Sequence, residues 1–361
     1  MLKAIGLCLG VLLSCTAQAT SVVFLNPGSI KEDFWGRYST FMQAAADELG
    51  MQLRIEYGHR QPALTLHQAR ALFEAQDKPD YLILVNEQYI APQILRLARG
   101  SGVKMFMVNN ALTPAQRLGI DAQPDTYSSV IGTLTINDEQ AGFQMLHALL
   151  AQLPSSEGPI DLVAFSAARN TPASQQREEG MRRALADFPQ VRLRQVVYGG
   201  WSRHRAYEQA QILVQRYPQA RLVWCANDEM AFGAMQAFEE AGRTPGRDVL
   251  FSAVNASPKA LRARISGRLS ALVGGQVAVG GWAMLMLHDD ALGLPVDRDG
   301  LREHSVPALS LIGPDEARQW LDVLQHANLG ISLRALSAQG RPAGYRYPFF
   351  DAPASQAEVS E

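Results

Sequence analysis

Cysteine is nearly absent from this chain: of three in 361 residues, Cys8 and Cys15 fall in the first fifteen positions and only Cys225 in the body. A disulfide framework is excluded, and Cys225, inside the apolar run Leu222-Val223-Trp224-Cys225, reads as a small buried hydrophobe rather than a nucleophile. An excess of charge of one sign is also lacking. Thirty-three Lys and Arg against 35 Asp and Glu leave a net charge of −2, without the basic stripe a nucleic-acid partner would need. The seven histidines (His59, His67, His147, His204, His288, His304 and His326) show no metal-ligand spacing, and no Gly-x-Ser-x-Gly elbow or reactive-cysteine motif accompanies them. Asp228 and Glu229 are adjacent and project differently from a helix start, which does not suit an acid–base pair. These gaps argue against an enzyme, a cofactor and a bound metal.

Long apolar runs are missing as well, apart from residues 5–15, which are too short to span a bilayer. That run follows Lys3 and closes on Ala17-Gln18-Ala19, with small residues at both positions a secretory peptidase requires, so it reads as an export leader cleaved after Ala19. Leu12-Leu13-Ser14-Cys15 is a degenerate lipoprotein box in which Leu13 fits poorly beside a lipidated cysteine, making an anchor on Cys15 the lesser reading. The mature chain is expected to be soluble, exported and monomeric.

From Val22 onward short apolar runs alternate with amphipathic stretches. Strands are predicted at residues 22–25, 52–57, 81–85, 103–108, 160–165, 192–198, 222–226, 249–254, 269–273 and 305–311. Between the first two, Phe34, Tyr38, Phe41, Met42, Ala45 and Leu49 recur at the spacing of one helix face, and the pattern stops at Gly50. Such alternation predicts an α/β architecture of parallel sheets with helices on both faces, joined by right-handed crossovers. Residues 20–361 exceed a typical domain of roughly 100–200 residues, so two doubly wound lobes are expected.

In such sheets ligands sit beyond the carboxyl ends of the strands, where loops and helix N-termini converge with unpaired backbone donors. The residues ending the predicted strands are strongly polar: Asn26, Asn86-Glu87, Asn109-Asn110, Asn227-Asp228 and Asn255. An amide offers donors and an acceptor together, and a hydroxyl needs both, so the set suits a polyol better than an ion. Taken singly, each is equally a turn or helix-cap former. Phe34, Trp35 and Trp201 fall at or just after predicted strand ends, and a flat ring stacks on the apolar face of a sugar. Trp224, Trp282 and Trp320 lie in apolar runs or on an apolar helix face and read as core.

Several segments carry a family resemblance that covers nearly the whole mature chain. Trp224-Cys225-Ala226-Asn227-Asp228-Glu229-Met230-Ala231-Phe232-Gly233-Ala234 resembles the strand and helix start of the type I periplasmic sugar-binding proteins, the family of ribose and galactose receptors, in which the Asn or Asp meets sugar hydroxyls. Arg177-Glu178-Glu179-Gly180-Met181 resembles the family's Arg-x-x-Gly-aromatic element with Met in the aromatic's place, and by that resemblance Arg177 forks onto ligand hydroxyls. Lys78-Pro79-Asp80-Tyr81 resembles the lead into the third strand, and Val254-Asn255-Ala256-Ser257-Pro258 the later ligand turn. Pro27-Gly28 with Asp33-Phe34-Trp35, and Asn110-Ala111-Leu112-Thr113-Pro114, are similar to segments of the autoinducer-2 receptors within that family. The chain departs from those receptors at Gly275, at or beside their second ligand arginine, and in lacking a tryptophan near Val254 or Asn255. A borate diester needs cationic compensation, so the resemblance implies an uncharged sugar or related polyol instead.

The resemblance also implies three crossings between lobes, near residues 135–137, 274–276 and 303–305, with Asn137 and Gln276 close enough to the cleft to touch ligand. After the leader, residues 1–19, the lobes are then 20–136 with 276–304 and 137–275 with 305–335, followed by a tail, 336–361, whose aromatics wrap over a lobe or bind a partner. The expected ligand contacts are Phe34, Trp35, Asn109, Asn110, Asn137, Arg177, Trp201, Asn227, Asp228, Asn255 and Gln276. The protein is expected in the periplasm, closing on its ligand and delivering it to an ABC-type permease of the inner membrane. The alternative partner is a membrane histidine kinase or similar receptor that senses the occupied form. On this reading, truncating Trp201 or Arg177 to alanine weakens ligand binding and leaves the thermal transition of the ligand-free protein nearly unchanged, which calorimetry checks.

Overall fold

The computed structural model describes residues 19–121, 127–153, 158–297, 301–342 and 344–351. The leader through residue 18, with both of its cysteines, and the acidic end beyond residue 351 lie outside the described residues.

Two six-stranded sheets form, each wrapped by helices. The chain begins with β1 (Ser21–Asn26), α1 (Asp33–Leu49), β2 (Gln52–Tyr57), α2 (Pro62–Glu74), β3 (Tyr81–Leu84), α3 (Ala91–Ala98), β4 (Lys104–Asn109), α4 (Pro114–Asp121) and β5 (Val130–Ile136). It crosses to the second lobe with α5 (Asp138–Leu150), then runs through β6 (Ile160–Ser166), α6 (Pro172–Leu185), β7 (Val191–Tyr198), α7 (Arg203–Arg216), β8 (Leu222–Cys225), α8 (Asp228–Glu240), β9 (Leu250–Val254), α9 (Pro258–Ile265) and β10 (Ala271–Gly274). It returns with α10 (Val279–Ala291) and β11 (Glu303–Val306), and crosses once more to β12 (Ser310–Leu311) and α11 (Pro314–Val323).

The first sheet is ordered β11-β5-β4-β3-β1-β2 and the second β12-β10-β9-β8-β6-β7, so the lobes repeat one topology. Among the described strands every pairing is parallel except β10 with β12. The single strand expected over residues 305–311 is therefore two strands in different sheets. Ser305 and Val306 pair with Thr135 and Ile136 in the first lobe, and the third crossing falls at residues 307–309 rather than 303–305. Glu303-His304-Ser305-Val306 buries alternate residues and carries no apolar run to mark its position.

Helix α1 shows how pattern becomes packing. Tyr38, Phe41, Met42, Ala45 and Leu49 are buried as expected, while at the start of the face Trp35 is buried and Phe34 only partly so; Gly50 ends the helix in the left-handed conformation (φ 71°), its N–H donating to the Ala46 and Asp47 carbonyls. Elsewhere two glycines let helices touch backbone to backbone. A Cβ on Gly142 of α5 would stand 1.9 Å from the Arg177 carbonyl oxygen, and one on Gly180 of α6 would stand 1.8 Å from that of Glu139. This close approach brings Arg177 to the start of α5.

The segment after α11 leaves the second lobe and docks on the back of the first. Glu48 on α1 accepts bonds from Ser332 Oγ (2.7 Å), Leu333 N (3.2 Å) and Arg334 N (3.0 Å), so the switch of lobe precedes residue 335, where the sequence reading had kept the chain on the second lobe. Farther on, Asp289 of α10 is fully buried and accepts from Ser337 Oγ (2.6 Å), Ala338 N (2.6 Å) and Tyr347 Oη (2.8 Å). Burial alone would raise the pKa of this carboxyl; bonds from His288, Ser337, Ala338 and Tyr347 hold it below its ordinary value. Phe349 stacks between Trp282 (centroids 4.8 Å, planes 8° apart) and Tyr347 (5.0 Å, 9°), and Phe350 lies over His304 (4.9 Å, 16°). Of the two expected roles for the tail aromatics, the structure has them wrapping a lobe. Phe349→Ala should lower stability by about 3–5 kcal/mol in urea unfolding; a loss below about 0.5 kcal/mol would mean the tail contributes nothing to the fold.

Candidate functional site

Placing β1 between β2 and β3, and β6 between β7 and β8, reverses the direction of the crossovers at each of those strands and opens a crevice at their carboxyl ends. The two crevices face each other, and a cavity of about 330 Å³ lies between the lobes, within the ~300–1,000 Å³ range of small-molecule sites. Each expected contact except Asn137 lines it. Phe34 and Trp35 come from the start of α1, Asn109 and Asn110 from the end of β4, and Arg177 from α6. Trp201 follows β7, Asn227 and Asp228 lie where β8 passes into α8, Asn255 ends β9, and Gln276 sits at the second crossing.

Asn137 is exposed, and its Oδ1 caps α5 by accepting the Gln140 N–H at 2.8 Å. The next residue, Asp138, is the one turned to the cavity. Two other strand-end amides are absorbed by turns. Asn26 bonds Gly28 N (2.9 Å) and Ser39 Oγ (3.1 Å), while Asn86 bonds the Ala111 carbonyl (2.8 Å), Gln116 (2.7 Å) and Ala91 N (3.2 Å). Neither lines the cavity.

The cavity wall is built on ion pairs. Arg177, 5% exposed, donates from Nε to Asp138 Oδ1 (2.7 Å) and from Nη1 to the Ala226 carbonyl (2.6 Å), while Asn110 Nδ2 reaches Asp138 Oδ2 from the first lobe (3.4 Å). Arg60, which the sequence reading missed, binds Glu32 (2.6 Å) and Glu87 (2.9 Å). Its guanidinium carbon lies 5.7 Å from the ring centre of Trp201 and 6.0 Å from that of Trp35, and Arg177 lies 5.6 Å from Trp201. The lobes also meet at the cavity edge: Thr171 Oγ1 donates to Glu87 (3.3 Å), Asn170 Nδ2 to Gln88 (3.3 Å), and Tyr89 Oη to Gln175.

Backbone strain concentrates here. Arg60, Asn109, Trp201 and Asn255 all line the cavity with φ between 60° and 96°, a left-handed conformation costing about 1–3 kcal/mol for a residue with a side chain. It aims each of the four side chains inward from a strand end.

On the second lobe a relay of amides ends on Asp228. Gln276 Nε2 donates to Asn255 Oδ1 (2.7 Å), and Asn255 Nδ2 donates to Asp228 Oδ1 (2.9 Å). Burial pushes the Asp228 pKa from 3.8 up to about 6, against the bonds from Ser257 and Asn255 that lower it. Because the folded-state value is raised, the cost to stability is absent below about pH 4, grows as pH rises towards 6, and is fully present above it. A rise of about two units corresponds to roughly 3 kcal/mol. Asp228→Asn should therefore stabilise the ligand-free protein at pH 7.5 and make little difference at pH 4; equal effects at both would refute the assignment. Arg177→Ala should lower stability by about 3–5 kcal/mol, because it leaves Asp138 buried and unpaired. Arg177 is thus structural as well as cavity-lining, contrary to the sequence expectation, and urea unfolding of the variant measures it.

A family model described as periplasmic binding protein domain matches residues 22–293. The crystal structure of a periplasmic sugar-binding protein from Pseudomonas fluorescens is 54% identical, with a TM-score of 0.84 over 91% of this chain and 98% of that one. The D-allose-binding periplasmic protein of Escherichia coli K12 is 23% identical over 288 residues, 79% of this chain and 89% of the relative. The ribose import binding protein of the same strain is 24% identical over 265 residues, 73% and 82% of the two chains.

Proposed function

Because the chain belongs to the periplasmic binding protein family, we propose that it is a periplasmic receptor that closes two lobes on one small polyhydroxylated ligand, a sugar or close relative, and delivers it to an ABC-type permease. The observation that carries this is the cavity between the sheet ends, where Asn109, Asn110, Asn227, Asn255 and Gln276 supply amides from both sides beside the Phe34, Trp35 and Trp201 rings. Amides satisfy hydroxyl donors and acceptors alike, and rings cover the apolar face of a pyranose or furanose. The sugar specificities in the names of the relatives support this ligand class, and import in the name of one supports delivery to a permease.

The moving parts are the lobe of β1–β5, α10 and β11 and the lobe of β6–β10 and β12. They hinge at residues 136–138, 274–276 and 307–309. Ligand shifts the open–closed equilibrium only by its preference for the closed form, whose joined surface the permease reads. No chemical step on the ligand is assigned. The protein acts as an exported monomer with its leader removed after Ala19.

A thermal-shift screen of residues 20–361 against pentoses, hexoses, amino sugars, polyols and nucleosides tests the reading. A ligand at about 100 times its Kd should stabilise the folded protein by about 2.7 kcal/mol. Trp201→Ala should weaken that ligand by about tenfold or more, by loss of a stacking face. No shift across the panel would overturn the proposal.

A further inference from the structure

The cavity is lined by six carboxylates against Lys31, Arg60 and Arg177, a formal excess of three negative charges. Its two guanidiniums are already engaged: Arg60 by Glu32 and Glu87, Arg177 by Asp138 and the Ala226 carbonyl. Asp33, at the rim, pairs with Arg37. Glu229 is half-buried and has no ion pair among the described residues, and Asp228 alone of the six is both buried and without one. It is 3% exposed and makes no ion pair among the described residues; its partners are neutral donors, Asn255 Nδ2 (2.9 Å), its neighbour's N–H at Glu229 (3.0 Å) and Ser257. Lys259 acts on it only through space, its ammonium seated 4.2 Å from the centre of the Phe232 ring. An unpaired carboxylate at the wall of a cavity is costly unless something cationic meets it.

We infer that Asp228 is a specificity determinant and that the ligand is a polyol carrying a protonated amine, an amino sugar in chemical class, rather than a neutral or acidic sugar. The inference rests on the receptor reading above and narrows its ligand. A hydroxyl donating to the Asp228 carboxylate already makes a charge-assisted bond; an ammonium in its place adds a second charge, turning that bond into an ion pair, and neutralises one of the excess charges. A carboxylate or phosphate on the ligand would find both guanidiniums occupied, with only the exposed Lys31 without an ion pair among the described residues, and would meet Asp228 and Glu229 with like charge.

The test is isothermal titration of the exported protein at pH 7.0 with three matched series: D-glucosamine, D-glucose and D-glucuronate; D-galactosamine, D-galactose and D-galacturonate; D-mannosamine, D-mannose and D-mannuronate. In a series that binds, the amine should be about tenfold or more tighter than the alcohol, with the acid undetectable. Asp228→Asn should bring the ratio of amine to alcohol affinity close to one. If that variant does not fold, the wild-type ratio read from pH 7 to pH 5 replaces it. The amine's advantage should shrink as Asp228 takes up a proton, since Glu229 and Asp33 favour that protonation while Asn255, Ser257 and Lys259 oppose it. Alcohols binding as tightly as amines, acids binding comparably, or an advantage unaltered by both the substitution and the pH would overturn the inference and leave the receptor reading standing. Silence from all nine compounds, with a shift from another sugar, polyol or nucleoside in the thermal screen, overturns the inference alone; silence there too overturns both.

Discussion

The placement of both lobes around the cavity depends on the buried pair of Arg177 with Asp138. Asp138 opens α5, the first helix beyond the first crossing, where the positive end of the helix dipole favours a carboxylate. Its second oxygen takes a bond from Asn110 at the end of β4, and its guanidinium partner reaches the Ala226 carbonyl just past β8. One charge pair thus joins the end of a first-lobe strand, a crossing, a helix and the end of a second-lobe strand. Gly142 and Gly180 make the pair possible, since a side chain on either would force α5 and α6 apart. Desolvating two ions is expensive, and the surrounding bonds offset that cost while fixing one arrangement.

The same economy governs the rest of the wall. Left-handed backbone at Arg60, Asn109, Trp201 and Asn255 is retained where extended backbone would turn the side chains elsewhere. The relay from Gln276 through Asn255 to Asp228 links the second crossing to the cavity by two hydrogen bonds.

Much of this was legible in the sequence because strand ends follow from hydrophobic period and their chemistry from residue type. Arg177 was legible through its spacing to Gly180, and the structure gives that spacing its reason in the contact with the Glu139 carbonyl. Asn26 and Asn86 could not be told from cavity amides, because a tight turn and a polyol ask for the same donors and acceptors. Arg60 was invisible for another cause: the chain after β2 is turned by left-handed residues at His59 and Arg60, which no periodicity announces. The residue facing the cavity at the first crossing is Asp138, one position past the expected Asn137, and the capping bond to Gln140 is what takes the Asn137 side chain away from it. The tail aromatics were visible as a cluster, while their target, the Trp282 ring and the buried Asp289, is fixed by tertiary packing alone.

That tail gives the molecule a frame of reference. The described chain starts in β1 and, at Phe349 and Phe350, comes to rest against α10 and β11 of the same lobe. In topological terms the second lobe is inserted in two pieces, β6–β10 and β12 with α11, with polypeptide on both sides of each secured to one body. The connecting segment leaves the second lobe at Leu324, beside Gly275 and Gln276 of the second crossing. In the closure proposed above, a point beside a crossing travels little, so the tail stays seated as the lobes close. In that proposed closure the first lobe is the stator and the second the rotor, and anything fused after the aromatic cluster rides on the part that stands still.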